Sequence, residues 1–416
     1  MAVLKPFKGM RPTPDMASRV AALPYDVLSS NEARVLVKGN EWSFLHVDKS
    51  EIDLPPDVDL YDERVYRKAR ENFDKLVREK VFIQDREACF YIYRQVMNGR
   101  AQTGVVGTAS VDEYFNETIK KHELTRADKE QDRIRHVEVC DANTGPIFLT
   151  YPDKAEITNM VAGWISGHDP VYNFTSEDGI QHIFWVVDDK GVNAGLEAAF
   201  KEVKAFYIAD GHHRSAAAAK VGRKKKEANG GCAEDAPYNH FLSVAFPAGD
   251  LYIMDYNRLV KDLRSYSASE FLAKLGEIFN VEKVSAKEPY RPQKVHQFGL
   301  YLGGVWYKLD AKPSIIDSKD PIKSLDVYIL QEYVLMPLLG IKDPRTDKRI
   351  DFVGGIRGLS ELSRRCENGE FKVAFAMFPT SIEQLMSVAD AGLCMPPKST
   401  WFEPKLRSGL IIHKLS

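Results

Sequence analysis

Long apolar runs are absent from this 416-residue chain: no stretch approaches the ~18 consecutive apolar residues that cross a bilayer. Its opening, MAVLKPFKGMRP, has no apolar h-region, so no secretory signal is expected. Cysteine is scarce too. Cys89, Cys140, Cys232, Cys366 and Cys394 are scattered, odd in number and never in C-x-x-C spacing. That argues against a disulfide frame or a cysteine zinc site and fits a reducing, cytoplasmic setting. Nor does one sign of charge dominate. Lys+Arg number 57 against 59 Asp+Glu, a formal charge of -2, whereas a protein living on nucleic acid shows a basic excess. Neither a nucleic-acid nor a membrane partner is expected, and the oligomeric state is left open. Familiar signatures are missing as well. There is no G-x-x-x-x-G-K-[ST] phosphate loop, no protein-kinase Gly-rich loop with H-R-D and D-F-G, no H-E-x-x-H and no G-x-S-x-G.

What is present is ordinary globular material, 44% hydrophobic and 28% charged, which excludes wholesale disorder. At roughly 100–200 residues per domain the length suits two domains. The stretch 1–40 is rich in Pro and turn residues and reads as a surface wrap. Residues 61–81 carry Val65, Ala69, Phe73, Leu76 and Val77 at near-helical spacing. Two strand-like runs, 88–96 and 102–111, flank Asn98-Gly99, the signal of a tight hairpin. Further strands are expected at 145–151, 182–188 and 205–210, the last running into an alanine-rich helix and a charged loop at 223–236. Beyond about residue 250 the texture changes: helix at 271–279, hairpin over Gly303-Gly304, long apolar helix at 325–340, capped helix at 381–392. This mix predicts an α+β fold with an N-terminal region 1–250 and a C-terminal domain 251–416, whose tail may pack back on the body.

The most informative segment is Asp210-Gly211-His212-His213-Arg214-Ser215, where a buried strand meets a Gly turn and a helix start. The first N–H groups of a helix lack intrahelical partners and carry partial positive charge. Gly211 lets a ligand approach the backbone, and His212, His213 and Arg214 add donors, so the turn reads as an anion cradle for phosphate. Asp210 could orient an imidazole or hold a metal. A capped turn with structural histidines is the plainer alternative.

A second candidate is the run 120–133. If helical, it places His122, Arg126, Lys129 and Arg133 on one face, with Glu123 beside His122 as a base next to phosphate-binding cations. A solvated, ion-paired helix is the alternative. Tyr25 and Asp26 after Pro24, His46, and the polar turn Asn143-Thr144 are weaker candidates for a substrate pocket. The segment 395–405, with Lys398, Trp401 and Lys405 between prolines, could close over a nucleotide or simply pack.

At Asp210–Arg214 the chain resembles the ParB/sulfiredoxin superfamily, whose members bind nucleotide phosphates at a strand–helix turn. The fuller Asp-Gly-His-His-Arg form is similar to that superfamily's free serine kinases, which convert L-serine to O-phosphoserine. They place a His-Glu motif upstream with the glutamate as base, matched here by His122-Glu123. Over its whole length the chain resembles a large uncharacterised bacterial and archaeal family through its Pro-Tyr-Asp-Val, Lys-His-Glu, Thr-Gly-Pro, Asp-Gly-His-His-Arg and Pro-Pro-Lys-Ser-Thr segments. The resemblance implies a ParB/sulfiredoxin-like core at about 100–220. It also implies a nucleotide-dependent small-molecule kinase using ATP or ADP and Mg²⁺, with L-serine as first substrate. The implied catalytic set is Glu123, His122, His212, His213 and Asp210, with Asp210 also as metal ligand. Gly211, Arg214, Ser215, Arg126, Arg133 and Lys398 would bind phosphate. A nucleotide-gated ParB-like regulator and a phosphohydrolase using the same cradle are the alternatives.

Overall fold

A computed structural model describes residues 1–230, 235–285 and 288–416. Cys232 and part of the loop expected at 223–236 lie outside the described residues. The chain divides into two compact units, Met1–Leu251 with Pro404–Ser416, and Tyr252–Glu403. The class is mixed α/β.

The first unit is built on nine strands: β1 Leu4–Lys5, β2 Phe90–Met97, β3 Arg100–Ser110, β4 Ile119–Lys120, β5 Ile147–Tyr151, β6 Tyr172–Thr175, β7 Gln181–Val187, β8 Phe206–Asp210 and β9 His240–Pro247. They pair in the order β4-β8-β5-β9-β3-β2-β7-β6, with β1 also on β3. Most pairs are antiparallel, but β4 with β8 and β5 with β9 are parallel. The β2–β3 hairpin turns over Asn98 and Gly99, both at positive φ (51° and 78°), as a two-residue primed turn requires.

The helices of this unit are α1 Glu63–Arg78, α2 Ala127–Cys140, α3 Ala155–Gly167, α4 Lys190–Lys201 and α5 His212–Ala228. Apolar side chains of α3, α4 and α5, including Trp164, Phe200 and Ala216, share one buried core with Phe90, Ile147, Phe206 and Ile208 of the sheet. Ala216–Ala219 are all buried, and at Gly222 any Cβ would lie 2.3 Å from the Tyr238 carbonyl oxygen. Small side chains thus let α5 sit close to its neighbours. A second core gathers Val20 of the N-terminal stretch, Phe44 and Val47 just after it, Phe73 and Leu76 of α1, Cys140 and Ile412.

Two expectations need correcting. The charged loop starts later than 223, because α5 runs to Ala228. Lys224 and Lys226 pair with Glu138 at 2.5 Å and Asp112 at 2.9 Å, and Lys225 with Asp141, so the triple lysine ties this helix to its neighbours. The helix expected over 325–340 is α-helical only at Asp326–Leu330 and continues as one π-turn at Gln331–Leu335, short of Pro337, whose ring cannot continue the ladder.

The second unit holds a six-stranded, wholly antiparallel sheet of β10 Tyr256–Val260, β11 Phe279–Lys283, β12 Gln297–Leu302, β13 Val305–Ala311, β14 Ile350–Gly354 and β15 Val373–Ala376, ordered β11-β13-β12-β15-β10-β14. Gly303 and Gly304 turn the β12–β13 hairpin at positive φ. Its longer helices are α6 Ala268–Ile278, α7 Ser360–Glu367 and α8 Ile382–Asp390; α6 and α8 each start with a reciprocal Ser cap, at Ser267 and Ser381. No described helix is long and apolar enough to cross a membrane.

Candidate functional site

Parallel pairing creates the site. Ile119 and Lys120 of β4 lie opposite Phe206 and Tyr207 of β8, so both strands leave the sheet at the same end. His122-Glu123 emerges there beside Asp210-Gly211-His212. At that end β8 shows a register irregularity between Ile208 and Asp210, a device that re-aims side chains next to sites. The His122 and His212 rings meet edge to face with centroids 4.4 Å apart. A ligating atom of each, with a carboxylate oxygen of Glu123, forms a trio within 4.8 Å of one another. Neither nitrogen of His122 makes a hydrogen bond, although the Ile208 carbonyl is near enough to favour its cation, and His212 Nε2 is likewise without a partner. Burial drives both imidazoles toward the neutral form: His122 titrates well below the ordinary range and His212 at about 4, with Asp210 opposing in each case. His213 is half-buried, and its Nε2 accepts the Arg126 backbone N–H at 3.0 Å.

Beside this trio, Asp210 accepts a hydrogen bond from Lys405 Nζ at 3.1 Å and lies 3.8 Å from Arg214 Nη2. Burial favours the neutral acid, but Lys405 and Arg214 outweigh it and hold Asp210 ionised, below the usual carboxylate range. Arg214 Nη1 donates to the Pro146 carbonyl at 2.6 Å while its buried Nε has no partner. Burial lowers the Arg214 pKa, and Asp26 and Asp210 more than reverse that. Gly211, at φ +92°, leaves room for this guanidinium: a Cβ there would sit 3.2 Å from Arg214 Nε. An L side chain would be strained on both counts.

A small cavity of about 30 Å³ opens against Arg214, Arg133, Tyr25, Asp48, Asn143 and Thr144. Its scale is that of about one or two waters, so the phosphate end of a ligand could enter but not a whole nucleotide. Arg133 stacks over the Tyr25 ring at 4.1 Å and pairs with Asp132 at 2.9 Å, and Asp132 in turn accepts from Tyr66 Oη at 2.9 Å. Burial raises the Tyr25 phenol above its ordinary range, with Asp26 adding to it against Arg133 and Arg214. Thr144 Oγ1 donates to Asp48 at 2.8 Å.

The sequence candidates therefore sort into two groups. Glu123, His122, His212, His213, Asp210, Gly211, Arg214, Arg133, Tyr25, Asn143 and Thr144 gather at this edge, and exposed Asp26 is close enough to act on Arg214 and His213. Others do not. The helical face expected from His122 to Arg133 does not form. The exit from β4 keeps 121–126 out of the helix, which starts at Ala127 with Arg126 extended as N-cap. The Arg126 guanidinium turns outward to Asp128 at 2.7 Å, and Lys129 stacks on Tyr61 at 5.6 Å. His46 is tied to Asp53 at 2.8 Å and to the Asn40 carbonyl and does not line the cavity. Ser215 Oγ donates to the His212 carbonyl at 2.9 Å, a helix-internal bond. Lys398 belongs to the second unit, its ammonium 5.7 Å from the Tyr256 ring centroid. The lysine that reaches Asp210 is Lys405, in the segment that rejoins the first unit. Asp48 and His136, which also line the cavity, carried no sequence signal: each is one polar residue among several charged neighbours, with nothing local to single it out.

Residues 4–328 match the family described as Protein of unknown function (DUF1015). The chain belongs to this family. No curated protein matches it. Among solved structures this DUF1015 chain is similar to a free serine kinase in complex with AMP, at 16% identity and a TM-score of 0.34, over 72% of this chain and 86% of that one. A conserved hypothetical protein from Pyrococcus furiosus matches at 16% identity and 0.35, over 73% and 93%. SbnI with a C-terminal truncation, from Staphylococcus aureus, matches at 12% and 0.37, over 72% and 82%.

Proposed function

We propose that this DUF1015 protein is a nucleotide-dependent small-molecule kinase that transfers a phosphoryl group to a hydroxyl, with free L-serine as the first substrate and ATP or ADP as donor, on a ParB/sulfiredoxin-like core. The observation that carries the reading is Arg214 at the first turn of α5, whose buried Nε is unpartnered beside a small cavity that Arg133 also lines, with Glu123 gathered to His212 at the start of the same helix. A phosphate seated there gains the helix-terminal N–H groups and charge-assisted bonds from Arg214. Glu123 is the base that takes the proton of the attacking hydroxyl. Because phosphoryl transfer asks mainly for positioning and electrostatic stabilisation, a set of fixed donors is sufficient machinery.

The local charge balance refines this. Arg133, Arg214 and Lys405 are matched by Asp210, Asp132, Asp48 and Asp26, so the cradle works by aimed donors and not by net positive field. Mg²⁺, when carried on phosphate oxygens, neutralises their charge. Asp210 does not fit as its protein ligand, since Lys405 and Arg214 already compensate that carboxylate. A phosphohydrolase is the second reading, favoured by the histidine–carboxylate trio. Phosphorus NMR of the protein with L-serine and ATP or ADP tests both: O-phosphoserine supports the kinase, and inorganic phosphate alone supports the hydrolase.

A further inference from the structure

We infer that His122, Glu123 and His212 form a binding site for a divalent transition-metal ion of the zinc class. Two imidazoles and one carboxylate form a donor set suited to such ions, with an open position left for water or substrate. Mg²⁺ is a poor match, because it asks for an octahedron of oxygens.

Geometry supports the assignment. With all three ligating atoms within 4.8 Å of one another, some point lies within about 2.8 Å of each, against the ~2.0–2.1 Å of Zn–N and Zn–O bonds. Closing that gap takes less than about 1 Å of side-chain movement. The histidines sit on two different chain segments held in place by the β4–β8 pairing and the start of α5, so the site is fixed by the sheet and not by a flexible loop alone.

Polar accounting points the same way. His122 is 2% exposed and His212 6%, yet both nitrogens of His122 and Nε2 of His212 lack hydrogen-bond partners. Buried polar atoms are paired in more than about nine cases in ten, so unpartnered nitrogens on two imidazoles, one atom of each ring within 4.8 Å of the other, call for a bound ligand. A cation held by the lone-pair nitrogen of each ring meets that need, and the Glu123 carboxylate beside them suits a cation and repels a phosphate. Asp210, two residues before His212 and bonded to Lys405 at 3.1 Å, places a further carboxylate near the ion.

The inference does not rest on the kinase reading. A bound ion would make Glu123 a ligand and withdraw it from the role of base, so the two assignments separate experimentally. The test is titration of the chelator-stripped full-length protein with Zn²⁺ by calorimetry, alongside Co²⁺ followed by visible absorption. One ion per chain is expected, with intense Co²⁺ ligand-field bands of low coordination number. His122→Ala and His212→Ala should each weaken Zn²⁺ binding by more than about a hundredfold, beyond the loss typical of outer-shell changes. Nucleotide affinity of the His122→Ala protein, measured with chelator present, reads the cradle separately. No Zn²⁺ binding by the wild type, or binding that the double variant His122→Ala/His212→Ala retains, would overturn the site. Should either variant fail to fold, the Co²⁺ spectrum of the wild type decides: weak octahedral bands reject the trio.

Discussion

The two sheets handle buried polarity in opposite ways. In the second unit all strands run antiparallel, and the described buried polar side chains are paired off. Asn257 bridges Asp255 at 2.5 Å and the Met377 N–H at 2.9 Å, Gln297 bonds Asp310 and Tyr290, and Asp326 holds His296. In the first unit, where two strand pairs are parallel, buried His122 and His212 and half-buried Arg214 each keep a buried polar atom open. Unsatisfied groups cost about 1–3 kcal/mol each, so a fold keeps them where something else is to bind. Parallel pairing explains the location: it brings two strand ends and a helix start to one edge, whereas an antiparallel hairpin spends its ends on a turn.

That contrast can be broken most severely at Glu123. Glu123→Gln should keep the fold and nucleotide affinity and lower turnover by roughly a hundred- to ten-thousandfold, the range of a general base. Unchanged turnover in the phosphorus NMR assay would remove the reacting centre from this edge.

The next largest effect concerns pH. Folded His212 stays neutral down to about pH 4, whereas an unfolded histidine takes up its proton near 6.5. The unfolded chain therefore binds more protons across that window, and stability falls as pH drops through it, by roughly 3 kcal/mol for this one group. Urea midpoints of wild type and His212→Gln at pH 7 and pH 4 measure it. The variant should show a shallower loss, and parallel curves would refute the burial argument.

Arg214→Ala should weaken nucleotide binding by about ten- to a hundredfold, the value of one charge-assisted hydrogen bond of roughly 1.5–3 kcal/mol. Calorimetry on a folded variant decides. The smallest effect belongs to the second unit: Ser267→Ala removes a helix cap and should cost about 1 kcal/mol by urea denaturation, with no change in nucleotide binding. A change in binding would blur the division of labour between the two sheets.

Local chemistry settled what depends on a few neighbouring residues. Asn98-Gly99 and Gly303-Gly304 specify hairpins because only such residues tolerate the required positive φ, and both hairpins are present. The apolar spacing of α1, the Ser cap of α8, and the step from apolar strand through Gly211 into α5 were readable for the same reason. Tertiary structure alone decided the rest. Whether β4 would lie parallel to β8 depends on burying a sheet edge assembled from distant segments, and that pairing ended the expected helix before Ala127 and turned His122 inward. That Lys405 reaches Asp210, while Lys398, expected to bind phosphate, belongs to the second unit, followed from where the chain crosses back into the first unit, between Glu403 and Pro404. Residue type and spacing determine which groups could do chemistry here. Only long-range packing determines which of them are buried together; burial keeps these imidazoles neutral and leaves ring nitrogens unpartnered, while Lys405 and Arg214, brought in by the same packing, hold Asp210 ionised against it.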